Sequence, residues 1–230
     1  MDASDNRSLK WVCAQIASMD YAEALDLQRR LVSARIAGNL DRNAVLVLEH
    51  SPVFTLGRRG GLENLKVPES FLKQSGIPVV QVERGGTITY HGPGQLVVYP
   101  IVRLRDMKMC VVDYVERLEE VMILTAADLG VQAERNALNR GVWVENRKLG
   151  SIGVAIRRGV SFHGLALNVD PSLAPFGWVH PCGLQGIRMT SVSKERAGPV
   201  SMTLAREVLT RRIEDVFGVQ LVMTDLKSLP

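Results

Sequence analysis

The chain has 230 residues, of which 46% are hydrophobic and 5% aromatic, so it can bury a sizeable core built on Val, Leu, Ile, Ala and Met. Lys and Arg number 28 against 24 Asp and Glu, a formal charge of +4. An excess this small favours an acidic partner without calling for nucleic acid. The three cysteines, Cys13, Cys110 and Cys182, are too few and odd in number for a disulfide framework and match no zinc spacing, which points to a reducing compartment and no metal.

Met1-Asp2-Ala3-Ser4-Asp5 is acidic with no apolar run behind it, so neither a secretory signal nor a transit peptide is expected. No later run has the length to span a bilayer, and a cytoplasmic protein is expected. The first predicted element is a helix over residues 20–37, where Tyr21, Ala24, Leu25, Leu31 and Ile36 recur at helical spacing. Asp20 and Glu23 resemble a capping pair, and Gly38 stops the helix. β-like runs follow at 44–48, 78–82 and 95–102, with glycine-rich turns at 57–61 and 83–95. A second helix over 111–129 puts Val111, Tyr114, Val115, Leu118, Val121 and Met122 on one stripe and ends at Gly130. The runs 141–144, 151–156 and 160–168 then succeed one another with no helix between. That order favours an α+β fold with a mixed or antiparallel sheet over a doubly wound parallel one. A third helix over 201–217 and a run at 219–222 close the chain. No repeat, linker or low-complexity stretch divides residues 1–230, so a single domain is expected, with a small C-terminal lobe as the alternative.

Residue by residue, each chemical signal has a bland counterpart. The run from Glu83 to Gln95 carries Arg84, Gly85, Gly86, Tyr90 and His91. It offers a guanidinium fork, polar ring tips and a backbone that a ligand can approach closely. It also reads as a hairpin turn, and it fits neither the P-loop nor the dinucleotide fingerprint. Cys13 and Cys110 sit in apolar surroundings and read as packing residues. Cys182 lies between Pro181 and Gly183 in a loop, where reactive groups tend to be displayed. Lys148 falls in a turn before a strand, where a lysine is ordinarily solvated. His50, His163 and His180 are isolated, and a structural hydrogen bond is the commoner role for such a histidine.

Together these segments resemble the lipoyl(octanoyl) transferases. The family signature R-G-G-x-x-T-aromatic-H-x-x-G/H-Q is met by Arg84, Gly85, Gly86, Thr89, Tyr90, His91, Gly94 and Gln95. The lysine motif appears as Lys148-Leu149-Gly150-Ser151-Ile152-Gly153. His163-Gly164-Leu165-Ala166-Leu167-Asn168 and Pro181-Cys182-Gly183 complete the set in the family's order. One earlier block departs: His50-Ser51-Pro52-Val53-Phe54-Thr55-Leu56-Gly57 has Ser and Phe where the family usually has Pro and Tyr.

The resemblance implies the α+β fold of biotin and lipoate protein ligase catalytic domains, a mixed, largely antiparallel sheet flanked by helices. It implies transfer of an octanoyl group from octanoyl-acyl carrier protein, through a thioester on Cys182, to a lysine of a lipoyl domain. The implied acceptors are the lipoyl domains of 2-oxoacid dehydrogenases and the glycine cleavage H protein. No cofactor and no membrane are implied. Lys148 matches the family's lysine and would lower the Cys182 pKa from its ordinary value of about 8.5. The family's binding segments map onto Arg84, Gly85, Gly86, Thr87, Ile88, Thr89, Tyr90 and His91, onto Ser151, Ile152 and Gly153, and onto Gly164, Leu165 and Ala166. Tyr90 and His91 are expected near the mouth of the acyl slot. Backbone N–H groups near Gly183 and in the turn at 149–150 are expected to face the oxyanion. Arg58, Arg59, Arg103, Arg105, Lys108, Arg147, Arg157 and Arg158 form either a docking surface for acidic partners or an ordinary solvated basic face. The rival readings are an ATP-using lipoate ligase, a cysteine hydrolase with His163 or His180 as base, and a non-catalytic carrier-binding module.

Overall fold

The computed structural model describes residues 9–180 and 187–230. In chain order the elements are β1 (Leu9–Gln15), α1 (Tyr21–Ala37), β2 (Ala44–Leu48), β3 (Val53–Leu56), α2 (Glu69–Gln74), β4 (Val79–Gln81), β5 (Ile88–His91) and β6 (Gln95–Ile101). Then come α3 (Val111–Asp128), β7 (Glu134–Arg135), β8 (Gly141–Val144), β9 (Arg147–Arg157), β10 (Val160–Asn168), β11 (Arg188–Met189), α4 (Val192–Arg196), α5 (Met202–Phe217) and β12 (Val219–Met223).

The helices begin and end for local reasons. Asp20 Oδ1 accepts from the N–H of Ala22 at 2.7 Å, and Gly38 closes α1 in the left-handed conformation. Ser201 caps α5, and Gly218 ends it in the same left-handed way. Along α3, Tyr114, Val115, Leu118, Val121 and Met122 are buried as their spacing predicts, whereas Val111 in the first turn is exposed.

Nine strands form one sheet among the described residues, in the order β12-β1-β2-β6-β10-β9-β8-β7, with β11 added beside β9. The β12–β1 and β1–β2 pairs are parallel, and those from β2 through β7 are antiparallel. The mixed, largely antiparallel sheet expected from the run of strands after residue 141 is present. β12 pairs with β1, so the C-terminal segment completes an edge of this sheet.

Alternation along the strands sends side chains to two layers. Val45, Val47, Leu96, Val98, Leu165 and Leu167 meet α3 and α5 on one face, where Trp11 also packs on Phe217 at 5.2 Å between ring centroids. Leu46, Leu48, Val97, Tyr99, Phe162 and Ala166 meet α1 on the other. β6 and β10 are buried along their whole lengths, as central strands covered on both faces must be. A small second sheet, β4-β3-β5, carries its own cluster of Phe54, Leu72, Ile88, Tyr90 and Phe176. The glycine-rich turn at 83–95 therefore contains strand β5 and is more than a hairpin turn.

Candidate active site

Where the small sheet meets the open side of β9, a cavity of about 790 Å³ enters the protein, within the usual range for small-molecule sites. Three of the chain segments in its walls are the ones the family motifs mark. Residues 84–89 arrive from the glycine-rich turn, and Ser151, Ile152 and Gly153 come from β9. Gly164, Leu165 and Ala166 come from the paired stretch of β10, with Gly153 opposite Gly164 and Ser151 opposite Ala166. The two glycine-rich turns brace each other: Gly57 N donates to Thr87 O at 2.9 Å and Arg58 N to Arg84 O at 3.0 Å. The turn at 57–61 is thus a support for the wall formed by 84–87.

Arg84 lines the cavity, but its fork is directed at the scaffold. Nη2 donates to Thr55 O at 2.6 Å and to Thr55 Oγ1 at 2.7 Å, while Nη1 donates to Gly85 O at 3.0 Å. Tyr90 departs from expectation. It points to the other face of β5, where it packs on Phe54 at 5.3 Å and Phe176 at 5.4 Å, because neighbouring strand residues face opposite ways. Thr89 and His91, its neighbours on either side, line the cavity.

Lys148 is 1% exposed and lies within β9, not in the turn that its sequence context suggested. Its Nζ donates to Asn139 Oδ1 at 2.8 Å and to Arg140 O at 3.0 Å, and it stands 5.2 Å from the Trp143 ring centroid. Asn139 and Arg140 both line the cavity. Leu149 and Gly150 continue the same strand, with Gly150 opposite Val142 on one side and Leu167 on the other. The turn expected to offer oxyanion donors at 149–150 is therefore sheet.

Cys182, with Pro181 and Gly183, lies outside the described residues. Its flanks do not. His180 N donates to Asn64 O at 2.8 Å, and beyond the segment Met189 is the register partner of Lys148, with Thr190 N donating to Lys148 O at 2.9 Å. The chain that leaves at His180 thus returns beside Lys148.

Deeper in, Tyr21, His91, Tyr99 and His163 line the cavity, and His50 stands behind them. His50 Nε2 and Tyr99 Oη are 2.7 Å apart, and His50 Nδ1 meets Met19 O at 2.8 Å. Burial dominates the electrostatics here, because a charge loses its hydration. It pushes His50 and His163 down to about 4 and His91 well below its usual value, with the Arg84 guanidinium adding to the effect at His91 and His163. Burial raises Tyr21 to about 12. His50, His91 and His163 are therefore neutral near pH 7. His163 has a left-handed backbone, φ 54°, in mid-strand, a conformation that costs a non-glycine residue free energy and recurs at functional sites. Neither of its ring nitrogens meets a hydrogen-bond partner among the described residues.

Two residues of the cavity wall, Glu119 and Asn139, stand outside the family motifs. For Glu119 a signal existed: it stands four residues after Val115 and three before Met122, on the buried stripe of α3. Asn139 sits in an irregular segment with no periodicity to mark it. Of the expected basic surface, Arg59 lines the cavity. Arg147 is held by Glu195 at 2.8 Å and Glu145 at 2.7 Å, and Arg103 donates to the carbonyl of Arg35. Those two arginines serve the fold. No helix among the described residues is long and apolar enough to cross a membrane, and no group of three or more His, Cys, Asp and Glu there is arranged to hold a metal ion.

The lipoyl protein ligase A/B catalytic domain family matches residues 20–214. The chain is 47% identical over 216 residues to the octanoyltransferase of Desulfotalea psychrophila, covering 93% of this chain and 97% of that protein. It is 48% identical over 179 residues to the octanoyltransferase of Syntrophobacter fumaroxidans, covering 78% of each. Among solved structures, a lipoate-protein ligase A bound with ATP superposes with a TM-score of 0.76 at 17% identity, over 94% of this chain and 90% of that one. A putative lipoate protein ligase from T. acidophilum with bound lipoic acid gives 0.74 at 17% identity, over 96% and 90%. At that identity the likeness establishes the fold, which is the lipoate-ligase fold that the motifs implied.

Proposed function

Because the chain belongs to the lipoyl protein ligase A/B catalytic domain family and, within it, to the octanoyltransferases, which are acyltransferases, we propose the following course of reaction. Acting as one catalytic domain in the cytoplasm, the protein takes an octanoyl group from octanoyl-acyl carrier protein onto Cys182. It then passes the group to the ε-amine of a lysine on a lipoyl domain. The acceptors are the lipoyl domains of 2-oxoacid dehydrogenases and the glycine cleavage H protein.

In the first step the Cys182 thiolate attacks the donor thioester carbonyl. A new C–S bond forms, the donor's C–S bond breaks, and the carrier thiolate leaves and takes up a proton. In the second step the neutral amine attacks the Cys182 thioester: a C–N bond forms, the C–S bond breaks, Cys182 leaves as thiolate, and the nitrogen's surplus proton passes to solvent. Thioester exchange is nearly neutral in energy and amide formation runs downhill, so no nucleotide is needed. The acceptor ammonium must shed its proton before it attacks. Acylation removes the negative charge from Cys182, which makes the Lys148 ammonium easier to deprotonate and turns Lys148 into the base for that step.

One observation carries this reading: a lysine ammonium buried in β9, its Nζ held by Asn139 and Arg140 at the wall of the cavity. The segments 84–89, 151–153 and 164–166 are read as the acyl slot, and burial of roughly six methylenes there stabilises the complex by about 5 kcal/mol at ~0.8 per CH₂. The hydrolase alternative with His163 as base is weakened by that histidine's pKa of about 4, far below the working pH of a general base. The test is the pH dependence of Cys182 alkylation in wild type and Lys148→Ala. Loss of the cation moves the titration upward, and an unmoved titration contradicts the dyad.

A further inference from the structure

One of the acceptors that hold the Lys148 ammonium is a peptide carbonyl, and that peptide has a second anchor. The carbonyl of Arg140 accepts from Lys148 Nζ at 3.0 Å. The N–H of the same peptide, on Gly141, donates to Glu119 Oε1 at 2.9 Å. In a trans peptide the carbonyl and the N–H point in opposite directions. The Arg140–Gly141 plane therefore lies between a carboxylate and an ammonium, each bonded to one end of its dipole. An anion on the N–H side polarises the peptide and strengthens the carbonyl as acceptor, the cooperative behaviour of a hydrogen-bond chain in a low dielectric.

Glu119 is placed to do little else. Its side chain is 2% exposed, and it strands no charge because Arg140 Nη1 approaches Oε2 at 3.1 Å and Arg135 Nε at 3.4 Å. These contacts strap residues 135–141 onto α3, and the strapped segment presents Asn139 Oδ1 as the second acceptor for Lys148 at 2.8 Å. Gly141 shows how close the fit is. Its φ is +121°, and a Cβ there would lie 3.1 Å from Lys148 Cε and 2.3 Å from Gly150 O. The backbone at Gly141 thus runs close against the Lys148 side chain, with no room for a larger residue between them.

We propose that Glu119 is a positioning residue for the transfer reaction: it orients the Arg140–Gly141 peptide so that its carbonyl holds the Lys148 ammonium in working geometry. This rests on Lys148 being the lysine of the proposed dyad. The Glu119 carboxylate is taken up by Gly141 N, Arg140 and Arg135. Its effect reaches the chemistry only through Lys148.

The test is a double-mutant cycle on the full-length protein, following amide formation between octanoyl-acyl carrier protein and a lipoyl domain by mass spectrometry. Glu119→Ala is expected to lower kcat about tenfold or more with KM for the acyl donor changed less than about twofold. Glu119→Gln, whose carbonyl still accepts from Gly141, is expected to recover most of the loss. In a Lys148→Ala background, Glu119→Ala is expected to change the residual rate by less than about twofold, because the residue it acts through is already gone. Thermal unfolding of each variant identifies any that fail to fold, in which case the Gln variant carries the cycle. Equal fold losses with and without Lys148, or an unchanged kcat in both Glu119 variants, overturn the proposal while leaving the dyad standing. An undiminished rate in Lys148→Ala alone removes the dyad and this inference together.

Discussion

The carboxamides of Gln95 and Asn168 meet in the core, Gln95 Nε2 donating to Asn168 Oδ1 at 2.9 Å across 73 residues of chain. Each extends the contact. Gln95 Oε1 accepts from His91 Nδ1 at 2.7 Å, and Asn168 Nδ2 donates to Thr190 O at 2.9 Å, whose own N–H binds Lys148 O. A row of buried polar groups thus runs from the His91 wall of the cavity to the strand that carries Lys148. Asn168→Leu leaves Gln95 Nε2 with only its long bond to Tyr90 O at 3.4 Å and takes the Asn168 donor from Thr190 O in the core, and a loss of about 2 kcal/mol is expected. Urea unfolding measures it, and adding Gln95→Leu is expected to cost less than the sum of the two single changes.

Two glycines of the expected acyl slot separate sharply. A Cβ on Gly164 would lie 2.1 Å from Val98 O and 2.8 Å from Pro100 Cδ, whereas one on Gly85 would meet only Val154 O at 3.6 Å. Gly164→Ala is expected to break the β6–β10 packing, with a stability loss of about 3 kcal/mol or insoluble protein, as overpacking of a central strand does. Gly85→Ala is expected to fold within about 1 kcal/mol of wild type by the same reasoning. Thermal unfolding of the pair checks both.

Acid weakens the fold through buried histidines. His50 and His163 titrate at about 4 when folded, against 6.5 for a free side chain. A base with a depressed folded pKa binds protons on unfolding, so stability is full above pH 6.5 and falls as the pH drops from 6.5 toward 4. Each accounts for up to about 3 kcal/mol over that window, at ~1.4 kcal/mol per pKa unit. In His50→Gln the slope of unfolding free energy against pH in this window is expected to shrink. An unchanged slope counts against a neutral, desolvated His50.

The cysteines are expected to differ in reactivity. Cys13 is fully buried and pushed up to about 12 by burial, with Glu214 adding to the effect, so alkylation at neutral pH is expected only after unfolding. Cys110 is exposed at the N-cap of α3, where its Sγ accepts from Asp113 N at 3.4 Å, so it is not the packing residue its apolar neighbours suggest, and it is expected to react after Cys182 and before Cys13. Cys182 is expected to react first. Peptide mapping after brief iodoacetamide treatment gives the order.

Much of this architecture was legible in the sequence because periodicity survives folding. The three long helices and the strands after residue 141 match their apolar patterns, and Asp20, Gly38 and Gly218 mark ends where they stand. What escaped was set by partners distant in the chain. β1 gives no clear signal alone and is a strand because β2 and β12 flank it. β5 hides among glycines, and β3 and β4 complete it. Lys148 reads as solvated because its neighbours Glu145, Asn146 and Arg147 are polar, yet β8, β11 and segment 139–141 cover it. Tyr90 belongs to the binding motif by sequence, and strand alternation turns it away from the cavity. The expectation for Cys182 came from the family motif, and no contact among the described residues replaces it.

The central claim is covalent and has a direct measurement. Wild type and Cys182→Ser are each mixed with octanoyl-acyl carrier protein, weighed intact and peptide-mapped, then given a lipoyl domain. The account requires one octanoyl group on the Cys182 peptide of wild type, lost as the lipoyl domain gains it, with neither adduct nor transfer in Cys182→Ser. Octanoylation of the lipoyl domain by Cys182→Ser at the wild-type rate would contradict it.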